Sequence, residues 1–525
     1  MKLPSAAGLL LAALTGVVNG QGQTLAKNYE GNAGFPTSAQ WDALNSAVGN
    51  KLSRCGSGRL EACTSEDTPS YVLRARNGQD IGNALKFANE HNLRVTVRGT
   101  GHDFMERNTG AGSLNIWTTD MRGAQWTASW APSNGSAPNG PKLAAVTIGA
   151  GMAWTSVTST VERNGHVVTT GADTTVGAAG GWTMGGGHGP LSNQYGMGCD
   201  NLLEAVVALP SGDIVTANAN SYPDLYWAIR GGGGGTFGVM ISATMRTYPK
   251  PTMNGLTLRI SGRGSGYVNA LAYMWAKLPE ITDFGLSGYP TMSSSSYFGM
   301  LNAPGKTTAE INAFFNPIAA KMRSYGATVS ASASSGGLLG GLLGGFGGLG
   351  RRSFYETYGE PTNQRVKRQA LTSVGLFSSR LIARSAMNEE NLPAIRKMLE
   401  TILATSRVSV LPYPNSGGQV ARNAELDVGL NPAWRESVMH MIVQRMDAKA
   451  AVAAMGPLSA NEGAYLNEAY PEEVDWKRTF FGGGEHYEKL LAVKNKYDPK
   501  NTLWCMPCVG GDVFVEGKDG RLYNP

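Results

Sequence analysis

Along this chain, stretches in which apolar residues recur every three or four positions give way to stretches in which they recur every second one. Ile81, Ala84, Leu85 and Ala88 share one face of a helix expected over 78–92. Leu93-Arg94-Val95-Thr96-Val97 follows at once, alternates, and runs into Gly99-Thr100-Gly101, the pattern of a strand ending in a turn. Further strands are expected at 144–148, 167–170, 205–209 and 213–216, with Pro210-Ser211-Gly212-Asp213 as the hairpin turn between the last two. This first part reads as an α+β unit of many short elements. From Pro251 the texture changes. Alternation over 256–260 and 298–301 predicts strands, and helical periodicity over 309–325 and 390–406 predicts helices, hence a second domain of sheet covered by helices. Between them, 330–350 carries Gly-Gly-Leu-Leu-Gly-Gly-Leu-Leu-Gly-Gly-Phe, too rich in glycine for a helix, and is expected to be a surface loop.

Composition adds three constraints. The 70 glycines among 525 residues are about twice the usual share of roughly 7%, and they cluster where backbone must approach something closely. The net charge of +6 is spread without a long Lys/Arg run, so no nucleic-acid partner is expected. The amino terminus has Lys2, an apolar stretch from Ala6 to Val18 and small residues at Val18-Asn19-Gly20. That is the pattern of a signal peptide over 1–20, too short to span a membrane. A secreted or lumenal protein is expected, and five cysteines fit that compartment. Cys55 with Cys63 and Cys505 with Cys508 are close in sequence, as disulfides or as zinc thiolates, disulfides being favoured by the spacing of eight between the first two. Asn134-Gly135-Ser136 is a glycosylation pattern. The six histidines show no close ligand spacing, and no metal is expected.

Three motifs carry chemistry. Val97-Arg98-Gly99-Thr100-Gly101-His102-Asp103-Phe104 places glycines directly after a strand, where exposed amide groups form a nest for an anion such as a pyrophosphate. It is neither the GxGxxG pattern nor a P-loop. Thr175-Val176-Gly177-Ala178-Ala179-Gly180-Gly181-Trp182 continues through Gly185-Gly186-Gly187-His188-Gly189 to Cys199-Asp200-Asn201. Asp224-Leu225-Tyr226-Trp227 runs into Gly231 to Gly235 and then Thr236-Phe237-Gly238-Val239.

In this order the three motifs resemble the FAD-binding domain of the vanillyl-alcohol-oxidase superfamily. Ala464-Tyr465-Leu466-Asn467-Glu468-Ala469 and Lys496-Tyr497-Asp498-Pro499-Lys500-Asn501 are similar to the berberine-bridge subgroup, and the whole is similar to fungal secreted FAD-linked oxidases. The resemblance is dense over 70–250 and 455–510 and thin between. It implies an α+β architecture of a PCMH-type FAD-binding domain at 30–250, an antiparallel-sheet substrate domain covered by helices at 251–455, and a C-terminal segment, 456–525, returning to the FAD domain. Residues 98–103 would wrap the pyrophosphate, and His102 would bond to the flavin 8α-methyl carbon, a role that needs a neutral imidazole nitrogen. Arg98, Gly99, Thr100, Gly101, Asp103, Thr175, Val176, Gly177, Gly181, Gly187, His188, Gly238, Val239, Asn467 and Asn501 fall at cofactor positions, His188 in a packing role. Many relatives carry a second flavin bond from a cysteine three residues before Val176. Asp173 stands there and cannot form a thioether, so FAD is expected to be held by His102 alone. The small side chain of Val176 is the family's oxidase choice, leaving room for oxygen beside the flavin.

The reaction implied is hydride transfer to FAD from an alcohol or amine carbon of a small natural product, with O2 as acceptor and H2O2 as product. A carbohydrate oxidase, and a redox-neutral flavin-bound cyclase of secondary metabolism, are the other readings. Relatives from plants draw their base from a strand glutamate. The counterpart here, 411–419, offers Tyr413 and no carboxylate, Glu425 and Asp427 fall in a variable loop, and Tyr465 is the expected base. Small-molecule substrate and O2 are the expected partners, without a membrane.

Overall fold

The computed structural model describes residues 24–55, 63, 68–133, 142–336 and 378–525. The expected signal peptide, the Asn134 sequon and most of the glycine-leucine stretch lie outside these residues. Alternating Val, Ala and Ser side chains draw Thr328–Ser335 into a strand, so the loop expected at 330–350 begins no earlier than residue 336. No helix among the described residues is long and apolar enough to cross a membrane.

Three sheets organise the chain. The first is mixed, in the order 52–54, 71–74, 114–117, 95–98. Helix Gly78–Glu90 packs on it through the apolar face read from the sequence, Ile81, Ala84, Leu85 and Ala88 being fully buried. The Asn77 side chain caps its amino end by accepting from the Asp80 amide. The second sheet is antiparallel, in the order 124–130, 143–149, 239–246, 202–208, 214–218. The strand expected at 167–170 shrinks to His166–Val167, which pairs with Tyr248–Pro249. Beyond it the Thr170 carbonyl faces Gly189 instead of a strand, 1.6 Å from where a Cβ would stand. Only glycine tolerates that approach.

The third sheet holds Met253–Ser261, Ser296–Pro304, Thr328–Ser335, Ser378–Ala383, Ser409–Tyr413 and Ser437–Gln444 with short companions, every pairing antiparallel. Helices Gly264–Ala276, Thr308–Ser324 and Leu392–Leu403 cover one face and bury an apolar cluster with it. A capping box between Thr307 and Glu310 opens the second of them. The opposite face matters for function. Leu411 pairs with Ile442 and Tyr413 with His440 across adjacent strands, so period-two alternation sends all four side chains away from the helices.

After this sheet the chain returns to the first two. Ala464, Leu466, Trp476, Phe480 and Tyr487 share a core with the second sheet. The amide of Val95 donates to the carbonyl of Thr502, extending the first sheet. A fully buried Lys494 donates to Asp498 at 2.6 Å and to the carbonyls of Thr236 and Leu503. The amides of Thr502 and Leu503 donate to the same carboxylate, which is the structural content of the motif at 496–501. Cys55–Cys63 and Cys505–Cys508 are disulfides. Cys199 is buried, and burial pushes its thiol far above the usual range, so it is inert.

Candidate functional site

A cavity of about 350 Å³ opens where the first two sheets, the bare face of the third and the 464–468 segment meet. Gly99, Thr100, Gly101, His102 and Asp103 line it at the end of strand Val95–Arg98. Val176, Gly177, Gly181, His188, Gly238, Tyr465 and Asn467 line it too. These are the positions expected at the cofactor or as base, brought together from segments far apart in sequence. Thr175 stands behind His102, in direct contact with its ring. Four expected residues lie elsewhere. Arg98 packs over the Trp117 ring beneath the glycine turn, and Gly187, at φ +71°, lies against Trp182. Val239 is buried in its strand, paired with Ala208. Asn501 donates its amide to the Asp498 carbonyl in the C-terminal turn.

The loops are stitched to one another. The amide of Gly177 donates to Thr100 Oγ1 at 2.9 Å. Arg107, which the sequence reading missed, grips Asp103 with Nε and Nη2, and Nη2 also donates to Asn467 Oδ1 at 2.9 Å. Asn467 in turn donates to the Gly181 carbonyl and to the Tyr465 hydroxyl. One guanidinium thus fixes the C-terminal segment against the His102 turn.

His102 sits in a defined electrostatic setting. Its Nε2 lies 2.8 Å from Thr175 Oγ1, and that hydroxyl lies 2.7 Å from Asp173 Oδ1. A carboxylate only accepts, so Thr175 gives its single proton to Asp173 and can only accept from His102. The imidazole therefore carries its proton on Nε2, and the lone pair belongs to Nδ1. Burial lowers the pKa of His102, against a smaller opposing pull from Asp173. A neutral ring with an assigned tautomer is what nucleophilic attachment to a carbon requires.

The residues suit an extended dinucleotide such as FAD. A Cβ added to Gly99, Gly180, Gly181 or Gly235 would meet no protein atom within 4 Å. All four line the cavity. They form a wall of bare backbone that a planar or phosphate-bearing group can approach closely.

The far wall is polar and aromatic. Tyr289, Tyr413, Tyr465, His188 and Glu468 line it, with His440 directly behind. His188 Nδ1 lies 2.8 Å from both Tyr289 Oη and Asn415 Nδ2, and its Nε2 lies 3.2 Å from Glu468 Oε2. Burial pushes the Tyr465 and Tyr413 hydroxyls well above their ordinary range, and the Glu468 charge adds to this. Burial would also raise Glu468, but His188 outweighs it and holds the carboxyl below its ordinary value. Burial lowers His440 to about 3, so the ring is neutral. Short-range spacing gave no sign of this group, because His188, His440 and Glu468 are joined only by tertiary structure. Glu425 is exposed and does not line the cavity, and Asp427 pairs with Lys489 and the Trp227 indole at the surface.

Comparison with known proteins agrees with this geometry. Residues 69–218 match the family described as FAD binding domain, and residues 464–507 the one described as berberine and berberine like. The chain is 31% identical over 498 residues to the FAD-linked oxidoreductase apf9 of Gibberella fujikuroi, spanning 88% of this chain and 82% of that one. It is similar to the VAO-type flavoprotein MtVAO713 of Myceliophthora thermophila C1, with a TM-score of 0.81 and 24% identity over 95% of this chain and 100% of that one. A glucooligosaccharide oxidase of Acremonium strictum, described with a 6-S-cysteinyl, 8α-N1-histidyl FAD, has a TM-score of 0.69 and 18% identity over 89% of this chain and 98% of that one. The α+β, PCMH-type fold read from the sequence is the fold of these neighbours.

Proposed function

This chain belongs to the FAD-linked oxidoreductases, and from that premise we propose that it is an oxidase of the secretory pathway holding FAD by a single bond from His102. The observation that carries this reading is the His102–Thr175–Asp173 chain at the lip of the glycine wall. It supplies a neutral nucleophilic nitrogen, and Asp173 stands where relatives of the bicovalent type carry a cysteine. Residues 99–103, 177, 180–181 and 234–235, which line the cavity, would hold the cofactor. When bound, FAD would supply an acceptor for a hydride from substrate carbon and a route for the electron pair to O2, giving H2O2.

The protein's own part is to orient the substrate and move one proton. Arg107, Asp103 and Asn467 keep the C-terminal wall at a fixed distance from the His102 turn. Tyr289, Tyr413, Leu411 and Ile442 present an aromatic and aliphatic surface suited to the ring of a small natural product. Glu468 replaces Tyr465 as the proton acceptor in this reading. Tyr465 is held protonated by burial and already accepts from Asn467, whereas Glu468 is ionised and its side chain is 24% exposed, opening onto the cavity. Val176 at the cavity wall leaves room for oxygen. The two disulfides fit an oxidising compartment.

The test uses the purified full chain. A fluorescent band on a denaturing gel, lost in His102→Ala, is expected. Peroxide release is then screened across benzylic and allylic alcohols, amines and oligosaccharides, with turnover expected among the first two classes. Colourless protein would overturn the reading. Product formation with no change of redox state would favour the cyclase, and turnover confined to sugars the carbohydrate oxidase.

A further inference from the structure

The histidines and the carboxylate of the far wall make an arrangement that proton transfer alone does not explain. His440 is fully buried, and its ring nitrogens meet no partner at good hydrogen-bond geometry, their nearest contacts being the Glu468 backbone and the Glu468 carboxylate at 3.7 Å. Buried polar atoms left in this way call for an explanation, and a bound ion is one of the few available. One ligand atom each from His188, His440 and Glu468 lies within 4.8 Å of the others. Two of those separations are already short: His188 Nε2 to Glu468 Oε2 is 3.2 Å, and His440 Nδ1 to the same oxygen is 3.7 Å. A tetrahedral zinc ion with nitrogen and oxygen ligands at about 2.0–2.1 Å sets its ligand atoms about 3.3 Å apart. Small side-chain movements therefore close the site.

We propose that His188, His440 and Glu468 bind a divalent transition-metal ion of the zinc class on the wall of the cavity. Two imidazole nitrogens and one carboxylate are a donor set suited to such an ion. Glu468 is then a carboxylate with a cation beside it, while the nearby Arg107 is engaged by Asp103. The outer contacts are in place as well. With Nε2 of His188 on the metal, its Nδ1 carries the proton and donates to Tyr289 Oη at 2.8 Å. The Asn415 amide now presents Nδ2 to that nitrogen while its Oδ1 is buried without a partner. A half-turn of the amide supplies an acceptor for the same N–H, the kind of support that metal-bound histidines receive.

Three protein ligands leave the ion open toward the cavity, the arrangement of catalytic rather than structural sites. The open position takes the hydroxyl oxygen of an alcohol substrate and makes its proton easier to lose. With FAD held as proposed, the O–H proton would pass to the second oxygen of Glu468 and the C–H electron pair would leave as hydride to the flavin. The metal keeps its charge throughout. This role beside the reacting carbon rests on the flavin reading, but the site itself consists of protein atoms only.

Metal content of the full-length protein decides the matter. The protein is stripped with a chelator, exchanged into Zn2+ or Co2+, and freed of loose ions. Elemental mass spectrometry should find about one metal per chain. In His440→Gln and in Glu468→Gln the content should fall at least tenfold. The covalent flavin band and the melting temperature report separately that each variant has folded. Co2+ should give ligand-field bands of a low-coordinate ion, absent from both variants. Wild-type protein that retains neither ion, or variants that retain as much as wild type, would overturn the site. A missing flavin band with metal still bound would overturn the flavin reading and leave the site standing.

Discussion

Thr175 is a side chain whose hydroxyl has one structural task, and its removal tests how His102 is prepared. Thr175→Val keeps the shape and deletes Oγ1, breaking the contact to His102 Nε2 at 2.8 Å and the one to Asp173 Oδ1 at 2.7 Å. Thr175 is exposed, so global stability should change by less than about 0.5 kcal/mol. The imidazole loses its assigned tautomer and its orientation. A hydrogen bond in a chain ending on a charged group is worth about 1.5–3 kcal/mol. If that is lost from the barrier to attachment, the covalent bond should form about 10- to 150-fold more slowly. Purified Thr175→Val should therefore contain dissociable FAD that becomes acid-precipitable slowly on incubation, while wild type is already complete. Thr175→Ser, which keeps the hydroxyl, should restore most of the rate. Asp173→Asn should fall between, because an amide oxygen still accepts from Thr175 without the charge. Attachment in Thr175→Val that is as fast and as complete as in wild type would show that the Thr175–Asp173 chain does not prepare the nucleophile.

Val176→Leu adds a methylene in a packed wall, a change that costs about 1–3 kcal/mol, and should slow reoxidation of reduced enzyme by O2 on the order of tenfold or more while leaving substrate reduction under anaerobic conditions nearly unchanged. Arg107→Met removes the tie between Asp103 and Asn467 and should destabilise the fold by about 2–3 kcal/mol, read from the urea midpoint, with an equal effect on any variant that retains Asp103. Asp200 is buried with Arg435 at 2.7 Å. Burial alone would raise its carboxyl, but Arg435 and its other donors hold it below the ordinary value, so its stabilisation is present above the unfolded value of about 3.9 and lost as pH falls through the lower folded value. Asp200→Asn strands the Arg435 charge and should cost about 3–5 kcal/mol at neutral pH, with the gap to wild type closing in acid melts as pH falls below the unfolded value; a gap constant with pH would refute the pairing.

What the sequence disclosed, and what it withheld, follows from the range of the interactions concerned. The His102 turn was legible because its parts are neighbours: an alternating strand, glycines that free the backbone, and a histidine directly after them. The same holds for helix Gly78–Glu90, whose buried face was written at its own period. Asp173 was noticed only as the absence of a cysteine, because the Thr175–His102 contact that links it to the histidine spans a sequence separation of 73 and left no local mark. Arg107 is more instructive. Its pairing with Asp103, four residues away, is the kind a reader of sequence can find, yet its reach to Asn467 across 360 positions is what joins the two halves of the site. The far wall was the least legible. Tyr465 stood out as base because it lies in a recognisable motif, whereas burial is what decides which hydroxyl can lose a proton, and burial is a tertiary property. Glu468, three residues on, lies in the same motif, but its importance arises only when a strand carrying His440 and a glycine-rich loop carrying His188 converge on it. Ligand spacing along the chain finds metal sites built on one helix or hairpin. A group assembled from three segments, each contributing one side chain, has no spacing to read, and it shows only once the fold brings the His188, His440 and Glu468 ligand atoms within 4.8 Å of one another.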